Sequence, residues 1–281
     1  MLREFVDQTI ATIAKGAWRD AIVLLPTVFF FTVGPATAVG LNDTGVTTCA
    51  DASGATVSCT AATAVQGQDA RYGRDAAAGT GALTKVGGGA SGFDFTKISN
   101  GTASVPGTVL PPSAALGTGP NDWGCTYDNT TGLMWEVKTA SGLRNSSYEY
   151  SWYSSNSATN GGGLGTSGYG TCLTTGRCDT EKFVQDVNAL GMCGRTDWRL
   201  PSLRELTSLV RLSGNPMIDS AYFPNTSSYG YWTGSTDVQN SSKAWFVSFS
   251  ASSTYPRFAT SSKTIQWIYE GVVVRLVRTG I

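Results

Sequence analysis

The chain contains no histidine in its 281 residues. This absence excludes a Ser-His-Asp triad, a Cys-His pair and a histidine-ligated zinc or haem, because each of these sites needs the imidazole. A glycosidase that uses two carboxylates is not excluded, because its mechanism needs no histidine. No pair stands out by spacing among the glutamates beyond residue 38, which are Glu136, Glu149, Glu181, Glu205 and Glu270. The sequence therefore predicts a protein that is not an enzyme and that uses no cofactor.

Charge is also scarce. Charged residues make up 14% of the chain, below the roughly 25% that is usual for soluble domains. The 20 basic and 20 acidic residues cancel, so no broad field attracts nucleic acid or an anionic membrane. The polarity comes from 34 glycines and from many serines and threonines, beside 41% apolar residues that suffice for a core. This composition is typical of a secreted or envelope protein and predicts no nucleic-acid partner.

One long apolar run stands near the start of the chain, from Ala21 to Val33. Basic residues precede this run and Ala36-Thr37-Ala38 follows it, which predicts that residues 1–38 are a secretory signal peptide. The alternative is an uncleaved membrane anchor, because residues 21–40 almost reach the length that crosses a bilayer of about 30 Å. Pro26 and Pro35 count against a spanning helix.

The six cysteines contain no C-x-x-C pair, which argues against a zinc ribbon. An even number of cysteines in an exported chain predicts disulfides instead. Short sequence separation favours certain partners among the 15 possible pairings, and the other pairings stay open. The favoured pairs are Cys49 with Cys59, Cys172 with Cys178 and, as the remainder, Cys125 with Cys193.

Residues 39–120 are predicted to be a Gly/Ala/Thr-rich extension of short strands and loops, with a disulfide-tied β-hairpin near its start. Asp69 and Asp75 lie six residues apart among glycines. A calcium loop would need a D-x-D-x-D-G series, which is missing, so we favour a turn here. The Gly/Ala-rich residues 76–92 predict a loop.

Residues 121–281 are predicted to form the main domain. Residues 123–137 predict a strand, an Asp-Asn turn and a second strand, with Leu133, Trp135 and Val137 on one face. A loop follows over residues 142–170. Its aromatic residues could stack on sugars, but we favour the interpretation that they cover the edge of a small core. These residues are Tyr148, Tyr150, Trp152 and Tyr153.

Two helices follow. Asp179 is a capping residue for a helix that runs to Leu190 and ends at Gly191, with one apolar stripe. Ser202 and Glu205 have the capping-box spacing for a second helix. The stripe of the first helix comprises Phe183, Val184, Val187 and Leu190, and the core-facing residues of the second are Leu203, Leu206, Leu209 and Val210.

The remaining strands lie near the C-terminus. Residues 244–249 alternate, so we predict a core face and an open face. The core face comprises Trp245, Val247 and Phe249, and the open face comprises Ala244, Phe246 and Ser248. Residues 272–278 carry apolar groups on both faces and predict a single central strand.

Several short motifs in this region resemble those of a known family, the C-terminal domain of the Legionella collagen-like adhesin. The resemblance covers residues 123–281. The motifs are Thr131-Gly132-Leu133-Met134-Trp135-Glu136, Asp197-Trp198-Arg199-Leu200-Pro201, Glu205-Leu206, Tyr231-Trp232-Thr233-Gly234-Ser235, Ala244-Trp245-Phe246-Val247 and Val274-Arg275-Leu276-Val277-Arg278.

The resemblance implies an α+β protein with a C-type lectin-like fold, in which a small mixed sheet and two helices carry long loops. It also implies an exported protein that acts in adhesion or ligand binding. Some relatives look like targets of diversity-generating retroelements, which vary residues near the C-terminus. The Glu-Pro-Asn and Trp-Asn-Asp motifs of calcium-dependent lectins are missing from the sequence, so no metal is predicted.

We therefore predict a ligand-binding surface between residues 236 and 270, for a protein or glycan at the cell exterior. Tyrosine, tryptophan and arginine among small polar residues are typical of adaptable binding surfaces. The predicted ligand residues are Phe246, Ser248, Ser250, Ser252, Tyr255, Arg257, Thr264, Gln266, Trp267 and Tyr269. The alternative is a structural subunit that self-associates into an extracellular oligomer or fibre, because the extension is too polar to form a core of its own.

Overall fold

Two β-sheets carry the core of the molecule. The computed structural model describes residues 40–251, 258–263 and 272–281, so the predicted leader lies outside the described residues. The strands are β1 (Cys49–Ala50), β2 (Thr56–Val57), β3 (Phe95–Ser99), β4 (Val109–Leu110), β5 (Trp123–Asp128), β6 (Leu133–Glu136), β7 (Glu149–Tyr150), β8 (Gly170–Thr171), β9 (Gly230–Thr236), β10 (Lys243–Ser248), β11 (Phe258–Ser262), β12 (Val272–Val273) and β13 (Val277–Thr279). The helices are α1 (Gly73–Gly79), α2 (Thr180–Leu190) and α3 (Leu203–Thr207), with short 3-10 turns at Asp69–Arg71 and Met192–Gly194.

The larger sheet has five antiparallel strands in the order β13-β6-β5-β3-β4. Its centre is the predicted strand pair, in which Asp128 lies opposite Leu133 and Cys125 lies opposite Glu136. Two strands of the predicted extension, β3 and β4, complete this sheet beside β5. The extension therefore shares its apolar side chains with the main domain.

The second sheet is mixed. Its strand order is β11-β10-β9-β12, with β12 parallel to β9 and the other neighbours antiparallel. The prediction of one strand over residues 272–278 is wrong, because β12 pairs with β9 whereas β13 pairs with β6 in the larger sheet. The chain crosses from one sheet to the other at Val274, Arg275 and Leu276, which are fully buried. This crossing explains why both faces of the stretch are apolar.

Apolar clusters cover both faces of the second sheet. Tyr231 and Val247 belong to one cluster, whereas Trp232 and Ala244 belong to the other. The predicted open face of residues 244–249 is therefore largely closed. The register between β9 and β10 also shifts between Ala244 and Phe246, and such a bulge interrupts the alternation of period two. As a result Trp245, predicted in the core, is only half-buried.

Both predicted helices are present with their predicted caps. The Asp179 carboxylate accepts a hydrogen bond from the backbone N of Lys182 at 2.8 Å, and α2 ends at Gly191 in the left-handed conformation. Phe183 and Val187 are buried as predicted, whereas Leu190 is exposed.

Residues 76–92 were predicted to form a loop, but the first of these residues are helical. The alanines after Asp75 extend α1 to Gly79, consistent with the high helix propensity of alanine.

Three disulfides join the pairs that sequence proximity favours, Cys49–Cys59, Cys125–Cys193 and Cys172–Cys178. The first closes the hairpin of β1 and β2, where Cys49 and Ala64 form a small cluster. The second connects β5 to the 3-10 turn after α2, over a sequence separation of 68 residues. The main sheet and α2 are thus covalently joined.

The Asp197-Trp198-Arg199 motif holds α3 against the larger sheet. Arg199 exchanges backbone hydrogen bonds with Val277 on β13. Its guanidinium donates to both carboxylate oxygens of Glu205, at 2.8 and 2.6 Å. Glu205 also accepts from the Ser202 backbone N and completes the predicted capping box. Burial acts to raise the pKa of Glu205, but the hydrogen bonds from Arg199 and Ser202 outweigh it and hold this pKa below its usual value.

The lowered pKa of Glu205 predicts an acid-sensitive contribution to stability. A carboxyl group whose folded pKa lies below its unfolded pKa stabilises the protein above the unfolded value, and the contribution is lost as the pH falls through the folded pKa. The glutamate reference value is 4.5. We expect Glu205→Gln to lower the melting temperature at pH 7, and the difference from the unaltered chain to shrink below pH 4.5.

Thermal unfolding followed by circular dichroism between pH 7 and pH 3 measures this difference. The Arg199→Met variant is the matched test of cause, because it removes the cation from the same carboxylate. A difference that stays constant down to pH 3 would contradict the prediction.

A buried charge network joins the chain crossing to the larger sheet. Glu136 and Lys138 form an ion pair at 2.9 Å, with both side chains fully buried. The second Glu136 carboxylate oxygen accepts from the Leu276 backbone N at 2.9 Å, and Arg275 donates to the Glu136 carbonyl at 3.0 Å. Burial lowers the pKa of Lys138, and this effect is opposed by Glu136. The nearby Arg144 cation is buried as well and interacts with Glu136.

The network predicts an asymmetric response to mutation. Removing one partner of a buried ion pair costs about 3–5 kcal/mol of unfolding free energy, because the other charge is left uncompensated. Glu136→Gln leaves the cations Lys138, Arg144 and Arg275 buried, whereas Lys138→Met leaves Glu136 its bond from Leu276. We therefore expect Glu136→Gln to destabilise the protein more than Lys138→Met does.

Urea unfolding at pH 7 measures both free energies. The matched control is Arg177→Met, which breaks the more exposed ion pair between Arg177 and Asp186 and should cost much less than either substitution in the network. Equal losses for Glu136→Gln and the control would show that burial of the network does not matter.

Candidate ligand-binding site

The predicted ligand residues lie on and beyond the ribbon of β10 and β11. In this ribbon Lys243 lies opposite Ser262, and Val247 lies opposite Phe258. Three of the predicted residues lie in the described part of the chain, Phe246, Ser248 and Ser250. The others lie outside the described residues and are Ser252, Tyr255, Arg257, Thr264, Gln266, Trp267 and Tyr269.

The three described ligand residues are less accessible than an open face implies. Ser248 is fully buried, and its hydroxyl oxygen accepts from the Ser250 backbone N at 3.2 Å. Phe246 is half-buried at the edge of an apolar cluster, and its ring lies so close to Gly230 that a Cβ there would come within 2.5 Å. Ser250 is half-buried. The described residues of the predicted site on β10 therefore offer little accessible surface.

Lys263 is a described residue of the candidate site that the sequence did not indicate. It follows β11 directly and is 1% exposed. Its ammonium group donates to the backbone carbonyls of Asn160 and Gly163, each at 2.7 Å, and lies 4.3 Å from the ring centroid of Trp152. Burial lowers the pKa of this lysine. A buried cation held by carbonyls and an aromatic face connects β11 to a loop about a hundred residues earlier.

The loop that Lys263 contacts, residues 155–165, is here called the glycine loop. It is rich in glycine because the backbone of neighbouring segments lies close against it. A Cβ on Gly163 would come within 2.2 Å of the Ser241 carbonyl oxygen, and one on Gly165 within 2.0 Å of the Trp152 carbonyl oxygen. Gly161 has a φ of 63° and lies against Thr236. The run Gly161-Gly162-Gly163 was the sequence signal of this close approach, although it did not reveal the partner.

The aromatic residues before this loop cover the core, as the sequence analysis favours. Tyr150 and Trp152 are each 1% exposed. The Trp152 indole donates to the Thr233 carbonyl at 2.9 Å, and the Trp232 indole donates to the Tyr150 carbonyl at 2.7 Å. These reciprocal bonds hold the loop against β9. The described framework of the site is therefore rigidly connected to the second sheet.

The strands and helices that hold this site fall within one known family. A family model described as the Lcl C-terminal domain matches residues 124–278. The chain belongs to this family. The Lcl C-terminal domain begins in β5 and ends in β13, so it includes α2, α3 and Lys263, whereas β3 and β4 precede it. Neither a search of curated proteins nor a search of solved structures finds a match to the chain.

A cluster of three carboxylates lies outside the Lcl C-terminal domain. Oxygens of Asp43, Asp69 and Asp75 all lie within 4.8 Å of one another, a spacing that could hold a cation. Asp75 accepts from the backbone N of Gly45 and of Gly92, each at 2.6 Å. Burial, with a smaller contribution from the Asp43 charge, raises the pKa of Asp75. The predicted turn is wrong for Asp75, which lies in α1, whereas Asp69 lies in the 3-10 turn before it. Asp43 is a third carboxylate of the cluster that sequence spacing did not indicate.

No helix in the described ranges, residues 40–251, 258–263 and 272–281, has the length and apolar character needed to cross a membrane.

Proposed function

We propose that this protein is an extracellular or envelope-associated adhesion protein that binds a ligand through the segment between β10 and β12. Membership of the Lcl C-terminal domain family supports an adhesin-like extracellular role. The three disulfides support an oxidising compartment. We further propose that the scaffold is C-type lectin-like, consistent with its mixed sheet and its two capped helices.

The observation that carries the proposal is the way in which the framework holds this segment. Phe249 before the segment is fully buried, and Val272 after it is 5% exposed. Between these points β11 pairs with β10, and Lys263 is held by the glycine loop. The described residues at both ends and in the middle of the segment are therefore attached to the core, and we propose that the residues between these attachments can vary without loss of the fold.

The residue types of the segment suit ligand binding. It carries Tyr255, Arg257, Trp267 and Tyr269 among serines and threonines. Large rigid side chains supply binding energy, while small polar groups supply adaptable hydrogen bonds. We propose a protein or glycan ligand recognised by shape and polar contacts. A histidine-dependent reaction is excluded by composition, and a binding rather than an enzymatic role is proposed.

The fibre alternative has less support from the structure than from the sequence. That alternative was based on the prediction that the extension is too polar to form a core of its own. Phe93 and Phe95 of that extension are buried in the same cluster as Trp135 and Val277, within the chain itself. These apolar groups of the extension therefore need no neighbouring subunit to cover them.

We propose in addition that the segment is diversified between related genes. A reverse-transcriptase gene and a near-repeat of the sequence that encodes residues 231–277 beside this gene would support the proposal. Genome sequencing of the locus tests it, and a locus with neither feature would contradict it.

The binding proposal predicts that combined replacement of Tyr255, Arg257 and Trp267 by alanine removes binding without loss of stability. These residues supply the anchors in the proposed surface, so affinity should fall by at least about tenfold. The measurement is binding of the secreted chain to an array of glycans and to immobilised extracellular proteins, with melting temperature measured in parallel.

The matched control combines Tyr72→Ala and Arg204→Ala, which replace residue types found in the test variant. Tyr72 is 60% exposed and Arg204 is exposed on α3. We expect this control to keep full binding. Unchanged binding by the triple variant, or a fall in its melting temperature that accounts for the lost binding, would contradict the proposal.

A further inference from the structure

A cavity of about 410 Å³ lies where the end of α2 meets the loops that follow β3 and β6. Its lining comes from residues 100–102 after β3, residues 139–144 after β6 and residues 190–193 at the end of α2, together with Thr118. The volume lies within the range of roughly 300–1,000 Å³ that is usual for small-molecule sites. None of the described lining residues belongs to the segment between β10 and β12. We call this space the Arg144 cavity.

Covalent and backbone contacts fix the walls of the Arg144 cavity. Cys193 in its lining is joined by a disulfide to Cys125 on β5. Gly191 ends α2 in the left-handed conformation, and a Cβ there would come within 2.6 Å of the Ala103 Cα. The end of α2 is therefore held close against both the larger sheet and the loop after β3. These attachments give the cavity a defined shape before any ligand binds.

Arg144 alone is charged among the described residues that line the cavity, and it is 7% exposed. Its Nη1 donates to the carbonyls of Gly124 and Val137 at 2.8 and 3.1 Å, and its Nη2 donates to Asn100 Oδ1 at 3.3 Å. A guanidinium group has five N–H donors, and these bonds use three of them. The other two, one of them on Nε, have no acceptor among the described residues. The side chain is thus held in place while donors remain for a ligand.

The positive charge buried around Arg144 is only partly balanced. Lys138 and Arg275 are fully buried, and Arg144 and Arg275 both act to lower the pKa of Lys138. Lys138 and Arg144 both interact with the carboxylate of Glu136. Three cations therefore lie around one buried carboxylate, and excess buried charge is costly unless an opposite charge compensates it. Because Arg144 borders the cavity, an anion in the cavity would compensate part of this excess.

The lining indicates which anion fits. One guanidinium with two free donors matches the two oxygens of a single carboxylate, whereas a dianion would lack a second cation. Most of the remaining lining surface is apolar, and Leu143, Leu190 and Met192 contribute to it. An aliphatic chain would bury apolar surface against these side chains, at about 0.8 kcal/mol for each buried methylene group. The lining therefore favours a ligand with one carboxylate and an apolar body.

We propose that the Arg144 cavity binds a small aliphatic monocarboxylate, with the carboxylate on the Arg144 guanidinium and the hydrocarbon chain against the leucine and methionine side chains. The inference goes beyond the proposed function, because it assigns a second site and needs no residue between β10 and β12.

Isothermal titration calorimetry of the full chain with three matched compounds tests this assignment. Hexanoate has the carboxylate and the chain, hexan-1-ol has a chain of the same length without the charge, and acetate has the carboxylate without the chain. At constant ionic strength we expect saturable binding of hexanoate and binding at least about tenfold weaker for each of the other two. Lack of saturable hexanoate binding up to ~10 mM, or equal binding of hexanoate and either analogue, would overturn the proposal.

Arg144→Lys tests the guanidinium itself. It keeps the positive charge but loses the planar pair of donors that fits a carboxylate, so hexanoate affinity should fall at least about tenfold. The matched control is Arg204→Lys on α3, which makes the same replacement at an exposed residue outside the cavity and should keep the affinity. Unchanged affinity in an Arg144→Lys variant that remains folded would overturn the proposal.

A second pair of variants decides the proposal if Arg144→Lys does not fold. Leu190 lines the cavity and is 56% exposed, so a polar side chain there is tolerated. Leu190→Glu and Leu190→Gln both remove the apolar side chain, but only the first adds a negative charge that repels the carboxylate. We expect hexanoate to bind about fivefold more weakly to Leu190→Glu than to Leu190→Gln, while hexan-1-ol shows no such difference. Equal hexanoate affinities of the two variants would overturn the proposal.

Discussion

The buried interaction of Glu136 with the chain crossing at Arg275 and Leu276 is the constraint on which the rest of the structure depends. One carboxylate oxygen binds Lys138 and the other binds the Leu276 backbone, while the Glu136 carbonyl accepts from Arg275. The bonds lie where the chain passes from β12 in one sheet to β13 in the other. They therefore determine how the two sheets lie relative to each other. The Arg275 guanidinium also lies 5.0 Å from the Phe223 ring and 5.2 Å from the Tyr231 ring, which connects the charge network to the apolar cluster.

This arrangement also stabilises the sheet that carries the candidate site. The sheet that carries the segment is buried on both faces, by Tyr231 and Val247 on one side and by Trp232 on the other. Buried residues before Ser250 and after residue 271 therefore stabilise this sheet. The pairing of β11 with β10 and the hydrogen bonds of Lys263 add local order.

Much of the helical structure and of the strand pair could be predicted, because those signals are local. The cap of α2 at Asp179 and the capping box of Ser202 and Glu205 each involve residues three apart. The strand pair from β5 to β6 closes over a short turn. The open face at Phe246 and Ser248 was wrong in part, because period-two alternation presumes one solvated face and an unbroken register. Here the register shifts and apolar clusters lie on both sides.

The sequence by itself determined the chemistry that this protein can use: no imidazole, little charge, six cysteines and a set of family motifs. It also determined α2 and α3, since capping and helical periodicity act between near neighbours. Only the tertiary structure decided that β3 of the extension joins β5, that Glu136 meets Leu276 across 140 residues and that Lys263 meets Asn160 across 103. Such contacts leave no periodic pattern in the sequence, because the two residues come into contact only when the sheets have packed. The framework of the candidate ligand surface is therefore a product of packing, although the residues proposed to bind the ligand lie in one short segment of the sequence.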